Sequence, residues 1–412
     1  MKPHATSQSK ATPPTSRTST VRLVLVLGAI MTIGPLSIDM YLPAFPELAR
    51  RLGTSATQVQ LTLTACVAGL ALGQLVIGPL SDRFGRRLPL LAALGTYAVA
   101  ALLCALAPSV AVLMALRFVQ GLAGAGGMVI VSAVVRDLYA GAAAARLFSS
   151  LMLVVGLAPI LAPLVGAQVL GVTSWRGIFF VLAVLSGLIA ALVAVGLRET
   201  LPPERRSDQG LGRTLQTMRA LLRDRWFVGH ALAGALGFGA LFAYVAGSSF
   251  VLQGIYGVSP QLYSVLFAMN GVGLIAASQV NARLVGRFGP ARLLHAGLLA
   301  IAAASGTLLA VALTGGLGVG AVLAPMFVVV SSLSFVLPNS IALALADHAA
   351  VAGTASALLG ASQFLMGALV APLVGAGGTT SAVPMAAIMT LVALAALVTR
   401  HVAAGARRRS PA

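Results

Sequence analysis

Asp39 stands in a long apolar run, Ile38-Asp39-Met40-Tyr41-Leu42-Pro43, and every other carboxylate of the chain falls near a helix end or in a loop. A charge at membrane depth costs about 2.5–3.5 kcal/mol on insertion scales, so an acid kept there usually has a functional reason. A carboxyl so placed can take a proton from one side and release it to the other. The plainer reading is an Asp near the interface, hydrogen-bonded to a neighbouring helix. Arg117 is the matching cation, in Leu113-x-x-x-Arg117-x-x-Gln120-Gly121, and shares one helix face with Gln120 and Gly124. It must find either an anion or the carbonyls of the helix that carries Asp39.

A second group of residues reads as a switch. Gly78-Pro-Leu-Ser-Asp82-Arg83-Phe-Gly85-Arg86-Arg87 sets a tight turn and a cluster of charges between two apolar runs, in a chain only 9% charged. Such a hinge ties two helix ends together and can be made or broken as they move. Arg136-Asp137 ends a later apolar run and can reach it. Isolated surface pairs contribute about 0–1 kcal/mol, so this network is expected to bias a near-balanced equilibrium. Pro159 and Pro163, one turn apart among small residues, remove backbone donors and favour a bend or a sliding contact.

The elements that position these residues follow from composition. The chain has 412 residues, 58% of them hydrophobic, and a mean hydropathy of +0.98. Soluble domains run nearer about 45–50% apolar and about 25% charged. A membrane span needs roughly 20 apolar residues. Twelve runs qualify, near 23–45, 57–80, 88–107, 110–134, 146–170, 177–197, 227–252, 260–282, 291–313, 317–345, 352–377 and 382–401. An all-α membrane protein is the fold expected, because a helix satisfies its own backbone in lipid. The small residues that fill the runs allow close helix packing.

The formal charge of +18 does not signal nucleic acid. With twelve spans, almost all Lys and Arg fall on one side; the other has Arg50, Arg51 and Arg176. That asymmetry predicts both termini in the cytoplasm, with the basic loops against anionic lipid. Residues 1–21 are Ser/Thr/Pro-rich and are expected to be disordered, and the apolar run after them is too long for a signal peptide. Cys66 and Cys104 lie within spans and read as packing residues.

The chain is written twice. Ala162-Pro163-Leu-Val-Gly166-Ala167 recurs as Ala371-Pro372-Leu-Val-Gly375-Ala376, and Arg83-Phe84-Gly85 as Arg287-Phe288-Gly289, at nearly equal offsets. The second hinge carries Gly286 where the first has Asp82. The organisation expected is a six-helix bundle over 22–197, a linker over 198–225, a second bundle over 226–401 and a tail over 402–412, the bundles related by pseudo-symmetry. Parallel halves imply a substrate site at midplane between them.

The hinge segment resembles the loop signature of the major facilitator superfamily, Gly-x-Leu-Ser/Ala-Asp-Arg-x-Gly-Arg-Arg, and matches its defining positions. The resemblance implies the major facilitator fold, with Gly78, Asp82, Arg83, Gly85, Arg86, Arg87, Arg136, Asp137, Pro159 and Pro163 in the conformational switch. The Arg117 segment is similar to the fourth-helix motif tied to proton coupling in that superfamily, which implies a coupling role for Arg117 with Asp39. Gly156 to Ala167 resembles its antiporter motif, with Ala162 and Ala167 replacing two glycines. Ser37 to Pro46, Ser174-Trp175-Arg176-x-x-Phe179, Glu199-Thr200-Leu201 and Phe242 to Phe250 resemble drug/proton antiporters of the bicyclomycin and chloramphenicol/florfenicol resistance type.

The function that this implies is alternating-access export of small amphipathic drugs, bicyclomycin- or chloramphenicol-like antibiotics among them, in exchange for protons. Such a protein sits in the bacterial inner membrane as a monomer, needs no cofactor beyond the proton gradient and has no nucleic-acid partner. The expected substrate wall comprises Tyr41, Gln120, Met128, Phe242, Tyr244, Tyr263, Phe267 and Asn270, since aromatics and Met give broad contact without fixed geometry. The competing reading is a facilitator-type importer of a small metabolite, which would be expected to place several fixed polar groups in its cavity. An enzyme is disfavoured: the five histidines are scattered near ends and loops, and no spacing suits a metal or a nucleophile.

Overall fold

The computed structural model describes residues 17–206, 211–315, 318–348, 351–378 and 380–408, and the regular structure among them is helical. The chain enters as α1 (Arg17–Asp39), a 3-10 turn (Leu42–Ala44) and α2 (Phe45–Arg51). Then come α3 (Ala56–Phe84), α4 (Arg87–Ala105), α5 (Val110–Leu138), α6 (Gly141–Val172) and α7 (Trp175–Gly196). After the short α8 (Leu211–Leu221), α9 (Arg225–Ser249) runs into a π-helical segment, Phe250–Ile255. The chain closes with α10 (Pro260–Phe288), α11 (Pro290–Thr314), α12 (Val319–Leu345), α13 (Ala352–Ala376) and α14 (Val383–Arg408). Twelve helical stretches of the described residues are long and apolar enough to cross a membrane, the first being Leu23–Arg51, α1 and α2 together.

Local sequence sets the ends. Ser55, Ser109, Ser174 and Ser259 cap α3, α5, α7 and α10 by accepting main-chain N–H groups of the first turn, and Asp224 caps α9 likewise. Gly85 after α3 and Gly289 after α10 both take positive φ, 89° and 77°. That conformation suits glycine, and it falls on the two glycines that the repeat pairs. Residues 17–21, expected in the disordered segment, stand in the first turns of α1, and residues 1–16 lie outside the described residues. Likewise α8 occupies much of the expected linker, and α14 continues through residues 402–408 of the expected tail. Pro159 and Pro163 both lie within α6, which remains one continuous helix.

Small residues decide how closely the helices meet. Gly121 of α5 lies on the Cys66 carbonyl of α3, where any Cβ would overlap main chain. The two halves meet where α3 packs on α13 and α6 on α10. At the end that carries α2, four hydrogen bonds among the described residues join them. Thr57 donates to the Gly375 carbonyl (2.9 Å) and Gln60 to that of Ala246 (2.9 Å), while Ser249 donates to Leu42 (2.8 Å) and Gln253 to Pro43 (3.3 Å). Non-helical backbone at membrane depth is tolerated only where protein satisfies it, and the last two bonds do this for the break between α1 and α2.

Candidate functional site

Helix α1 stops at Asp39, and the stop organises the site. The amide of Tyr41 turns back to the Ile38 carbonyl, so the Ser37 carbonyl has no N–H from the next turn. Arg117 of α5 supplies the missing donor. Its guanidinium donates to the Ser37 oxygen at 2.9 Å and to Gln120 Oε1 at 2.7 Å, and it lies over the rings of Tyr41 and Phe179 at 5.0 and 5.5 Å. Arg117 is fully buried. A cation at the C-terminal end of a helix also meets the negative end of its dipole. Of the two partners open to Arg117, an anion or the carbonyls of the helix that carries Asp39, it takes the second: among the described residues Asp39 forms no ion pair, and Arg117 serves as the cap of α1.

Asp39 instead lies on the wall of a cavity of about 200 Å³ shared by both halves. Pro35, Ile38 and Pro159 come from α1 and α6; Phe238, Phe242, Tyr244, Phe267, Asn270 and Phe364 come from α9, α10 and α13. The wall is almost wholly apolar. Asn270 donates to the Tyr244 hydroxyl at 2.7 Å, Tyr244 stacks on Phe267, and Phe238 packs against Phe242 and Phe364. An aromatic and aliphatic surface thus forms the cavity, with Asp39 and the Tyr244–Asn270 pair at its edge and their polar atoms largely covered.

Four expected wall residues are elsewhere. Tyr41 is buried in the first half, bonded to Thr62 (3.0 Å) and packed on Phe45 and Phe179. Gln120 is buried and occupied by Arg117. Met128 lies beside Gly34, and Tyr263 is buried with its hydroxyl 3.2 Å from Ser248. Residue type marked them, two as aromatics, one as a Met and one as an amide, but helix rotation decides which side chain reaches the cavity. Conversely, Phe238 and Phe364 line the wall with nothing in their local sequence to set them apart.

The α3–α4 loop forms a second cluster with Arg86 at its centre. Its guanidinium donates to Asp137 (2.9 Å), Ser81 (2.8 Å) and Asp82 (2.5 Å). Burial alone would lower the Arg86 pKa, but hydrogen bonds and charge from Asp137 and Asp82 outweigh it and hold the group above its ordinary value. The hub is Glu199, after α7, which the sequence singles out only within a family-like segment and which stands outside the expected switch. Its carboxylate accepts four main-chain N–H groups, from Arg86 (2.8 Å), Arg87 (3.1 Å), Thr200 (2.9 Å) and Leu201 (3.0 Å). Partial burial pushes the Glu199 carboxyl up, yet these donors outweigh it and hold it below the ordinary carboxylate range. A charged residue straight after an apolar span was the available signal. Arg83 lies over Phe84 and Arg87 donates to the Ala194 carbonyl, so neither joins the Arg86 ion pairs. Gly78 and Arg136 border a smaller cavity of about 170 Å³ beside this cluster, with Gly353 of α13 and Met218 of α8. Pro163 lies in α6 close to Gly166, which lies on the Met40 carbonyl in the α1 break.

Comparison with known proteins places this geometry. Residues 27–372 match the family model described as Major Facilitator Superfamily. The chain is 42% identical over 374 residues to the uncharacterized MFS-type transporter YdgK of Bacillus subtilis, covering 90% of this chain and 92% of the relative. It is 36% identical to a bicyclomycin resistance protein homolog of Haemophilus influenzae (89% and 92% covered). It is 34% identical to a chloramphenicol resistance protein of Pseudomonas aeruginosa (83% and 81%). Among solved structures, a bacterial homolog of the human lysosomal transporter Spinster, in an inward-facing conformation, superposes with a TM-score of 0.72 at 16% identity, covering 95% and 96% of the two chains. The xylose transporter XylE from E. coli superposes with a TM-score of 0.70 at 16% identity, covering 92% and 97%.

Proposed function

The chain belongs to the major facilitator superfamily, and as a transporter of that fold we propose that it exports small amphipathic drugs in exchange for protons. The carrying observation is Asp39, unpaired on the wall of an apolar, aromatic cavity that both halves build. An intramembrane acid of this kind is a functional-site candidate by default, and carrying protons is one of the roles such acids take. A drug seated on the Phe238–Phe242–Phe364 surface with a donor group turned to the ionised Asp39 takes the carboxylate that the proton otherwise holds, so the two compete for one group. Relatives named for resistance to bicyclomycin and chloramphenicol support the drug side of this reading. The cavity, at about 200 Å³, is smaller than the usual drug pocket of about 300–1,000 Å³, which suits an occluded stage between openings.

The cycle uses the two ends in turn. Opening at the α2 end requires breaking the four bonds that join the halves there. Opening at the other end moves the second half against the Arg86–Glu199 cluster, whose bonds stay within the first. Arg117 keeps the α1 break intact throughout, which holds Asp39 on the cavity wall. The positive-inside rule supports a reading in which that cluster, the linker and both termini face the cytoplasm across a bacterial inner membrane. The protein works as a monomer, without cofactor or nucleic acid, driven by the proton gradient alone.

The test is drug accumulation in vesicles carrying the wild type and Asp39→Asn, with and without a protonophore. Wild type builds a chloramphenicol- or bicyclomycin-type gradient that collapses with the protonophore; Asp39→Asn is inserted and folded but builds none. A protonophore-sensitive gradient in the Asn variant refutes the assignment.

A further inference from the structure

The linker helix α8 presents three faces, and only one of them is used by the protein. Met218 and Leu221 are buried, Leu221 in a small core with Phe227, Ala355 and Leu359. Leu222, just past the end of α8, still donates its N–H to the Met218 carbonyl at 2.9 Å, so at about 3.6 residues per turn Leu215 and Leu222 fall on one line beside that face. Both are open to the surroundings, 61% and 59% exposed. The next strip round carries Arg219 and Arg223, exposed and without an ion pair among the described residues. The nearest acid in sequence, Asp224, is already engaged, capping α9 and bonded to His348 at 2.9 Å. Leu222 stands just before the membrane span that begins at Arg225.

Protein-facing, apolar and basic strips in that order are the arrangement of a helix lying in the membrane interface, with its leucines at the acyl boundary and its arginines among headgroups. We propose that the Leu215–Leu222 and Arg219–Arg223 strips, formed by α8 and the turn that ends it, make a docking surface for anionic phospholipid of the surrounding bilayer. Charge complementarity selects that occupant. The chain from Trp226 to its end holds a single carboxylate, Asp347, so little in this half can neutralise the arginines. Docking has a consequence for the gate, since Met218 and Thr214 of α8 line the cavity that also touches Asp82, Arg136 and Gly353. An anchored α8 stays wedged between the halves. The proposal holds whatever the central cavity carries.

The test uses the full-length protein in nanodiscs. Cys66 and Cys104 are buried, so a thiol introduced by Leu215→Cys, or by Gln216→Cys on the neighbouring exposed face, takes an environment-sensitive label selectively. Lipids brominated on the acyl chain are the quenchers. In mixed phosphatidylglycerol and phosphatidylcholine, the label at 215 is quenched and that at 216 is not. In phosphatidylcholine alone, or with Arg219→Gln and Arg223→Gln in the mixture, the docked-to-free ratio falls by about fivefold per arginine. Absence of quenching at 215 in every lipid, as when α8 faces water or a second copy, overturns the proposal. Quenching indifferent to lipid charge and to both arginines overturns it as well.

Discussion

The Arg117 guanidinium lies 2.9 Å from the Ser37 carbonyl and makes no pair with Asp39, two residues further along α1. A buried charge is thus used to finish a helix that ends inside the membrane. Its removal leaves the Ser37 and Gln120 oxygens without that donor, at about 1–3 kcal/mol for a buried group. Leu at 117 abolishes the charge along with the donors, whereas Lys keeps a buried charge and loses the planar fork that reaches both acceptors. The expected order of thermal stability is wild type above Arg117→Leu above Arg117→Lys. Lys matching wild type in melts and in transport would show that charge alone, acting on Asp39, is what the position supplies.

Glu199 predicts an acid-sensitive loop. Its carboxyl is held below the ordinary value in the folded protein, so its contribution is present above the unfolded value, about pH 4.3, and is lost as pH falls through the folded one. The group is exposed, which keeps the effect below about 1 kcal/mol. Melts of wild type and Glu199→Gln should differ at pH 7, with wild type higher, and converge as pH drops below about 4. A difference that stays constant with pH would mean that the carboxylate's charge is not what binds the four amides.

Much of this architecture was legible in the residues. Twelve apolar runs correspond to twelve candidate spans among the described residues, and the paired Arg-Phe-Gly segments marked two of the positive-φ glycines, Gly85 and Gly289. Asp39, Phe242, Tyr244, Phe267 and Asn270 were read as site residues and share one cavity. What escaped was rotational and main-chain in origin. Composition cannot say which way Tyr41 or Tyr263 turns on its helix. Pro43 signals that a helix must stop near Asp39, but nothing in the sequence announces that the stop frees the Ser37 carbonyl for Arg117. Glu199 escaped because its partners are main-chain amides, which leave no charge pattern to match.

Gln60 and Gly375 meet across the α3–α13 boundary, and Gln74 and Gly360 repeat the pairing farther along the same two helices. At the first pair a Cβ would meet the Gln60 side chain and lie 2.9 Å from Thr57 Cα, so Gly375→Ala must force main chain apart at the α2 end. The expected result is a population shifted toward opening there. Spin labels at Arg50 and Val258, which border the vestibule at that end, should report longer and broader distances than in wild type. Gln60→Leu, which deletes the bond to the Ala246 carbonyl, should shift them the same way by less. Unchanged distances in both variants would show that this contact does not hold the end closed.

The stoichiometry of exchange is open to an electrical test. Asp39 is the one carboxylate on the cavity wall among the described residues. One acid carries one proton, so a cycle that exports a neutral drug moves one net positive charge inward. Its rate should then answer to membrane potential as well as to the pH gradient, at about 2.3 kcal/mol per charge per 100 mV. A monovalent cationic drug cancels the proton's charge and leaves only the pH term. Proteoliposomes with an imposed potassium-diffusion potential and equal pH on both sides separate the cases. Neutral-drug efflux should accelerate when the receiving polarity favours proton entry, and cationic-drug efflux should not. Neutral efflux indifferent to the potential would exclude one-proton exchange through Asp39, because no fixed charge elsewhere on this wall moves with the substrate to offset it.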